Sequence, residues 1–227
     1  MPNFNIIKRT NIKRTYRVAR IMADFDVSES HVCEHFVGEI VLPKEWNVGL
    51  ICGSSGTGKS TIANELFGDC LYHVTDEQYT HESVIDDMPQ ICSVDEIEKM
   101  FYSVGFGSVP SWLKPYKVLS IGEKMRVDIA YALLSNNFVV YDEFTSVVDR
   151  NVAQVASMAI SKAVKRTNKQ FIAISCHKDI INWLQPDWIF DTDIMQMVFL
   201  QAHDFSEDLK SENVGVMNGG NLGVIII

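Results

Sequence analysis

An eight-residue stretch, residues 53–60, limits what this chain can fold into more than any other feature. It reads Gly-Ser-Ser-Gly-Thr-Gly-Lys-Ser and matches the pattern G-x-x-x-x-G-K-[ST] at every fixed position. An apolar run at residues 46–52 predicts a buried strand before it, and residues 61–67 predict a helix after it. Glycines let such a loop curl so that its backbone N–H groups point inward, and the helix N-terminus adds positive potential. The pattern therefore predicts a phosphate-binding loop (P-loop) at the end of a strand.

The residue types in this loop match a nucleoside triphosphate with its metal ion. The Lys59 side chain is long enough to reach the β- and γ-phosphates, and the Ser60 hydroxyl is an oxygen ligand of the kind that Mg²⁺ prefers. We therefore expect ATP and Mg²⁺ as ligands. The residues expected to hold the nucleotide are Gly53, Ser54, Ser55, Gly56, Thr57, Gly58, Lys59, Ser60 and Thr61.

A pair of acidic residues follows another predicted strand. Residues 138–141 form a short apolar run of the kind found in parallel strands covered on both faces, and Asp142 and Glu143 come directly after it. A carboxylate in that position lies at the edge of the sheet where open α/β domains bind ligands. We expect Asp142 to bind Mg²⁺ and Glu143 to polarise the water that attacks the γ-phosphate.

The rest of the chain alternates between predicted strands and helices. Strands are predicted at residues 36–42, 46–52, 138–141, 171–175 and 188–190, and helices at 16–25, 61–67, 95–102, 121–134, 151–165 and 179–184. Ser93 and Glu96 have the spacing of a capping box at the start of one of these helices. The alternation predicts an α/β fold with a mostly parallel sheet, and 227 residues suffice for one large domain.

Charge is distributed unevenly along the chain. The net charge is −9, yet residues 1–20 hold six of the 20 basic residues and none of the 29 acidic ones, so the rest of the chain has a balance of −15. An acidic body argues against broad, nonspecific binding of nucleic acid. The basic segment has two interpretations: it contacts phosphates or an acidic partner, or it folds back on the acidic body.

Cysteine usage and hydropathy bear on the compartment. Five cysteines without paired spacing predict reduced thiols in a cytoplasmic setting. The longest uncharged run, residues 213–227, has 15 residues including four glycines, which is short of a membrane-spanning helix. We therefore expect no direct insertion into a membrane.

Residues 119–123 read Leu-Ser-Ile-Gly-Glu and open a predicted helix. Ser120 and Glu123 have capping-box spacing, so Ser120 is expected to cap a helix whose N-terminus can face a phosphate. This segment resembles the signature motif of the ATP-binding cassette (ABC) family, whose common form is L-S-G-G-Q. The resemblance implies that Ser120 and Gly122 contact a nucleotide bound to the opposite protomer of a head-to-tail dimer.

Three further segments resemble ABC motifs and occur in the order that the family has them. Pro89-Gln90 resembles the Q-loop, residues 146–149 (Ser-Val-Val-Asp) resemble the D-loop, and residues 174–177 (Ile-Ser-Cys-His) resemble the switch-histidine segment. The resemblance implies that Gln90 reaches the metal and the attacking water, that Asp149 lies at the dimer interface, and that His177 contacts the γ-phosphate. It covers roughly residues 36–192 and implies the P-loop NTPase fold of ABC type.

The departures from the family pattern narrow the class of protein. Ile121 replaces the first signature glycine and Glu123 replaces the glutamine, a form that is more similar to soluble chromosome-maintenance and repair ATPases than to most transporters. Ser120 lies only 61 positions after Lys59, so the helical lobe that receives membrane subunits in transporters is shortened. Together these departures imply a soluble, non-transport ABC ATPase. With the short lobe, residues 14–20 resemble the ATPase half of predicted ABC ATPase–acetyltransferase fusions.

Two contacts with the nucleotide stay open at this point. Ile121 would crowd the nucleotide across the dimer unless its side chain points away. No aromatic residue stands out for stacking on adenine, and the candidates are Tyr16, Phe25 and Phe36.

The predicted organisation has three parts: a basic N-terminal arm (residues 1–30), an ABC ATPase domain (31–204, with the helical lobe at about 72–122), and a C-terminal tail (205–227) that could form a hairpin. The predicted function is Mg²⁺-dependent ATP binding and hydrolysis with ATP-driven dimerisation, coupled to an unidentified protein or nucleic-acid partner. Two alternatives stay open: the nucleotide-binding subunit of a membrane transporter, and an ATP-gated binding module with little turnover.

Overall fold

The computed structural model describes residues 3–28, 33–75 and 77–198. Within them the strands are β1 (Asn3–Arg9), β2 (Cys33–Glu39), β3 (Val48–Cys52), β4 (Phe138–Tyr141), β5 (Gln170–Ser175), β6 (Trp188–Asp191) and β7 (Gln196–Val198). The helices are α1 (Tyr16–Asp24), α2 (Lys59–Phe67), α3 (Val94–Ser103), α4 (Val109–Trp112), α5 (Ile121–Ser135), α6 (Arg150–Thr167) and α7 (Ile180–Leu184). None of these helices is both long and apolar enough to cross a bilayer. The predicted hairpin of the C-terminal tail lies outside the described residues.

Five strands form the central sheet in the order β4-β5-β3-β6-β7. The first four run parallel, with Leu50 of β3 paired to Ala173 on one side and Ile189 on the other, and β7 is antiparallel to β6. All five residues of β3 are buried, as expected for a strand covered on both faces. The predicted α/β fold with a mostly parallel sheet is confirmed. The loops after β3, β4, β5 and β6 emerge on one side of the sheet, which we call the carboxyl edge.

A hydrophobic core lies on each face of this sheet. On one face, Leu50 belongs to a cluster with Ile129 of α5 and Ile160 of α6. On the other face, Ile51 belongs to a cluster with Ile62 of α2 and with the strands β1 and β2. The strict alternation of β3 between the two cores fixes its register, because a slip by one residue would exchange the two faces.

A two-stranded antiparallel sheet, β1 with β2, covers part of the second core. Phe4 and Phe36 point inward, and the Phe4 ring meets Phe190 edge to face with centroids 5.9 Å apart. The strand predicted at residues 36–42 begins and ends three residues earlier, as β2, because β1 pairs with Cys33–Glu39. Seven residues of the basic N-terminal segment are therefore part of a sheet.

A buried carboxylate lies among tyrosines on the first face. Asp128 of α5 is 5% exposed, and its Oδ2 accepts a hydrogen bond of 2.9 Å from the Tyr116 hydroxyl. Tyr79 stacks on Tyr116 with ring centroids 3.9 Å apart. Burial raises the pKa of Asp128 from 3.8 to about 6, and the tyrosine hydrogen bonds oppose that rise only in part.

This carboxylate makes the stability depend on pH. The folded protein binds the Asp128 proton more tightly than the unfolded chain, so ionising Asp128 destabilises the fold. This destabilisation is absent below about pH 4, grows as the pH rises, and reaches about 3 kcal/mol above about pH 6. We expect Asp128→Asn to raise the free energy of unfolding by about 1–3 kcal/mol at pH 8, with the gain shrinking towards pH 4. Urea unfolding at both pH values measures it, and a variant less stable than the parent at pH 8 would contradict it.

Candidate nucleotide-binding site

The P-loop lies at the carboxyl edge, between the buried strand β3 and helix α2. Gly56 and Gly58 both have φ of +85°, a left-handed conformation that glycine adopts without strain. A Cβ atom on Gly58 would lie 2.5 Å from the Phe36 ring, which packs directly against the loop. The glycines are therefore required by the backbone path and by the close approach of Phe36.

The loop is open to solvent where the phosphates are expected. Ser54, Ser55 and Ser60 are exposed, and Thr61 is partly buried in the first turn of α2. The Lys59 ammonium donates a hydrogen bond of 2.6 Å to the Ser54 carbonyl oxygen. It therefore lies over the loop, with the helix N-terminus beneath it, in a region of positive potential suited to an anion.

The acidic pair lies at the same edge, after β4. Asp142 is partly buried, and its Oδ1 accepts a hydrogen bond of 2.8 Å from the Glu143 N–H. Glu143 is exposed and has φ of +53°, and Thr145 has φ of +64°. A left-handed conformation is unfavourable for both residue types, and such strain is typical of functional sites. The N–H of Phe144 donates to the Ile174 carbonyl at 2.8 Å, which ties this turn to β5.

The predicted switch histidine follows β5, which lies between β3 and β4 in the sheet. His177 is partly buried, and its N–H donates to the Ser175 hydroxyl at 3.1 Å. The strand order therefore places His177 between the P-loop on one side and Asp142 and Glu143 on the other.

The donor set at this edge suits Mg²⁺. Ser60 and Asp142 supply hard oxygen ligands, and Mg²⁺ in nucleotide sites is held by one or two protein groups together with phosphate oxygens. No group of three His, Cys, Asp or Glu side chains with the arrangement of a metal site exists among the described residues. The two oxygen ligands, Ser60 and Asp142, fit an ion that shares its coordination with phosphate oxygens.

The segment that resembles the signature motif forms the start of α5. Ser120 is the N-cap and has the predicted capping box, since Glu123 Oε2 accepts from its N–H at 2.9 Å and from its hydroxyl at 2.7 Å. Ile121 is 59% exposed, so its side chain points away from the protein. A Cβ atom on Gly122 would lie 3.1 Å from Val152 Cγ1, so this glycine packs against the first turn of α6.

Asp149 is the N-cap of that same helix. Its Oδ1 accepts hydrogen bonds of 3.0 Å from the N–H groups of Asn151 and Val152. Since Val152 also contacts Gly122, the predicted signature and D-loop residues lie side by side on one surface. We call Ser120, Ile121, Gly122 and Asp149 the signature patch.

Gln90 makes its side-chain hydrogen bonds within its own segment. It is exposed in the helical lobe, and its side-chain amide donates to the Asp86 carbonyl at 3.1 Å. A different glutamine, Gln78, follows a short extended segment in which Leu71 pairs in parallel with Val140 of β4. That segment runs toward the carboxyl edge, since its pairing with β4 is parallel. The apolar pair at residues 71–72 is the sequence signal that could have predicted this extended segment.

The three aromatic candidates for adenine stacking differ in position. Phe36 is 8% exposed and packs beneath Gly58, so it forms part of the core. Tyr16 and Phe25 are 80% and 71% exposed, at the two ends of α1. The structure brings neither of them into a contact with the P-loop among the described interactions.

Comparisons with known proteins support the fold that carries this site. No family model and no curated protein matches the chain. Among solved structures, cbiO1 from Clostridium perfringens, described as part of the ABC transporter complex cbiONQ, is 22% identical with a TM-score of 0.55, and the match covers 69% of this chain and 78% of that one.

A second similar structure is the ATP-binding cassette MJ0796. Its dimer in a post-hydrolysis state with ADP and Pi is 12% identical, with a TM-score of 0.57 and coverage of 83% of this chain and 92% of that one. Another dimeric structure of MJ0796, described as a bacterial ABC transporter cassette, is 14% identical with a TM-score of 0.54, covering 82% and 94%. Identities this low speak to architecture alone. The chain has the fold of an ABC-type P-loop ATPase domain.

Proposed function

We propose that this protein is a Mg²⁺-dependent ATPase of ABC type that dimerises head to tail when it binds ATP. The observation that carries the proposal is the convergence of three loops at the carboxyl edge. The P-loop, the strained Asp142–Glu143 turn and the His177 loop follow β3, β4 and β5, which are adjacent parallel strands. A nucleotide on the P-loop would therefore have an acid–base group within the same edge.

The proposed reaction is in-line attack of water on the γ-phosphate. Lys59 and the loop amides bind the phosphates, and His177 orients the γ-phosphate. Glu143 accepts a proton from the attacking water as the water oxygen bonds to the γ-phosphorus. The bond between the γ-phosphorus and the oxygen that bridges it to the β-phosphate breaks, and that oxygen leaves with ADP. Ser60 and Asp142 would hold Mg²⁺, which when bound would neutralise charge on the phosphates.

Gln90 is the residue first proposed to complete the metal site. Its side chain is turned onto the backbone of its own lobe, and Gln78 is a second candidate for this role. Gln78 donates a hydrogen bond to the Tyr72 hydroxyl, and Tyr72 stacks on Tyr141, the residue before Asp142. Comparing Gln78→Ala with Gln90→Ala in Mg²⁺-dependent hydrolysis separates the two.

The position of the signature patch is the reason for proposing a dimer. The signature patch is built on α5 and α6, whereas the P-loop begins α2. In a head-to-tail dimer each of two nucleotide sites would combine the P-loop of one protomer with the signature patch of the other. In this arrangement Ser120, Gly122 and Asp149 act on the nucleotide of the second protomer. The exposed Ile121 would then face that nucleotide or its protomer.

We propose that the partner is a protein or a nucleic acid, on the basis of the short helical lobe. We also propose a reducing, cytoplasmic setting, because all five cysteines are free. A second candidate is the nucleotide-binding subunit of a membrane transporter, since cbiO1 is part of a transporter complex. Recovery of the protein with a membrane protein on purification from its own cells would favour this second candidate.

A surface substitution tests the dimer. In a Glu143→Gln background that binds ATP without turnover, we expect light scattering to find a dimer with MgATP and a monomer without it. Adding Ile121→Glu places a negative charge where the second protomer's phosphates would lie, so the dimer is lost while each monomer still binds MgATP.

The matched control is Val37→Glu, an exposed apolar residue on the outer side of β2. It changes charge and hydropathy equally and should leave the ATP-dependent dimer intact. A monomer at saturating MgATP in the Glu143→Gln protein, or a dimer that survives Ile121→Glu, would refute head-to-tail pairing through the signature patch.

A further inference from the structure

The P-loop is held from one side by the turn that follows β6. Thr192 and Asp193, which we call the β6 turn, both contact it. Asp193 Oδ1 accepts a hydrogen bond of 2.7 Å from the Ser54 N–H. The Thr192 hydroxyl lies 2.5 Å from the Thr57 hydroxyl and 3.1 Å from the Cys52 carbonyl oxygen. Two side chains about 140 positions away in sequence therefore fix the entry to the loop.

Ser54 carries this contact on to the P-loop lysine. Its N–H faces Asp193, and its carbonyl oxygen accepts from the Lys59 ammonium at 2.6 Å and from the Thr57 hydroxyl at 2.8 Å. The residue is thus held at both its backbone polar groups. A rotation of Ser54 would move the resting position of the Lys59 ammonium.

Asp193 also pairs with the residue that follows the predicted switch histidine. Lys178 Nζ lies 3.0 Å from Asp193 Oδ2, and it also donates to Asp191 Oδ2 at 2.7 Å. The hydrogen bond from the Ser54 backbone, followed by that from Lys178, lowers the pKa of Asp193 to about 2, so the carboxylate is ionised at neutral pH. Contacts from Lys178 to Asp193 to Ser54 to Lys59 therefore join the His177 loop to the P-loop.

The negative charge of Asp193 and its contact with Ser54 have opposite expected effects on phosphate binding. A carboxylate beside a phosphate-binding loop disfavours phosphate by charge alone, so its removal would tighten binding if charge were its only effect. Holding the loop has the opposite consequence, because a preorganised site binds more tightly than one that must be ordered. We propose that Asp193 is a positioning residue that holds Ser54, and through it Lys59, in the geometry that receives the triphosphate. The proposal rests on the proposed ATP binding.

Three variants in the Glu143→Gln background test it. Asp193→Ala removes the contact with Ser54, whereas Asp193→Asn keeps an oxygen that can accept from Ser54 but loses the charge. Asp191→Asn alters the partner of Lys178 and keeps an oxygen that can accept the 2.9 Å hydrogen bond from the Asp193 N–H, so it leaves the contact with Ser54 in place. Hydrogen exchange of the nucleotide-free protein reports whether the P-loop amides open, and equilibrium titration with MgATP reports affinity.

We expect Asp193→Ala to exchange the Ser54 amide faster and to bind MgATP about tenfold more weakly. Asp193→Asn should restore affinity to within about threefold of the parent, and Asp191→Asn should change neither readout. An affinity for MgATP that is equal or higher in Asp193→Ala would overturn the proposal. A loss of thermal stability with unchanged exchange at Ser54 would overturn it too.

The exchange readout separates this proposal from the proposed function. If the parent binds no MgATP while Asp193→Ala still opens the P-loop amides, the holding contact is supported and ATP binding is refuted. If the parent binds MgATP and Asp193→Ala matches it in both readouts, ATP binding stands and the positioning role is refuted.

Discussion

Replacing Glu143 with glutamine is expected to slow ATP hydrolysis at least about 100-fold while MgATP still binds. Glutamine has nearly the shape of glutamate but accepts no proton from the attacking water, and in the proposed mechanism the phosphates are held by the P-loop instead. Steady-state release of phosphate at saturating MgATP measures the first effect, and equilibrium binding measures the second. The variant should also accumulate as the ATP-bound dimer.

Two further variants sharpen this result. Glu65→Gln removes an exposed carboxylate from α2 and should leave the rate unchanged. Glu143→Gly should be inactive yet more stable by about 1 kcal/mol, because glycine adopts a φ of +53° without strain. Opposite changes in activity and stability at one position would indicate strain kept for function. More than a tenth of the parental rate in Glu143→Gln would mean that the base is another residue.

Gly58→Ala is expected to lower the free energy of unfolding of the nucleotide-free protein by about 3 kcal/mol. Two effects combine at this position: a φ of +85°, and a new Cβ atom only 2.5 Å from the buried Phe36 ring. Urea unfolding measures the loss. Because the displaced ring supports the loop from below, the affinity for MgATP should fall as well.

The chain provides a matched control for the ring contact. Gly56 has the same φ of +85° but nothing within 4 Å of its would-be Cβ, so Gly56→Ala should lose only about 1 kcal/mol. In a double-mutant cycle, Phe36→Leu should recover at least about 1 kcal/mol of the Gly58→Ala loss. Equal losses at Gly56 and Gly58 would show that the ring yields without penalty.

The features that the sequence predicted well depend on neighbours along the chain. The buried run 138–141 coincides with β4, and both capping boxes, at Ser93 and Ser120, have the predicted reciprocal hydrogen bonds. The alternation of strands and helices was enough to place the P-loop, Asp142 and His177 at one edge, because parallel strands share their direction. Patterns within about ten residues therefore gave the fold class and the centre of the candidate site.

The features that were missed depend on contacts between distant segments. The shift of β2 results from pairing with β1, a strand that was not predicted although Phe4 and Ile6 alternate with polar residues. Gln78 becomes a candidate only once Leu71 is seen to pair with Val140 of β4. The hydrogen bond from Ser54 to Asp193 joins positions that no local pattern relates.

Helix α1 has a consequence for how sequences of this kind can diverge. It connects two strands that pair over seven residues each, yet none of its own residues is buried. Selection for folding therefore acts weakly on this helix, and substitutions in it are nearly neutral for stability. Descendants of one ancestor can keep the same fold while this surface drifts or acquires new specificity, so differences among them should concentrate here.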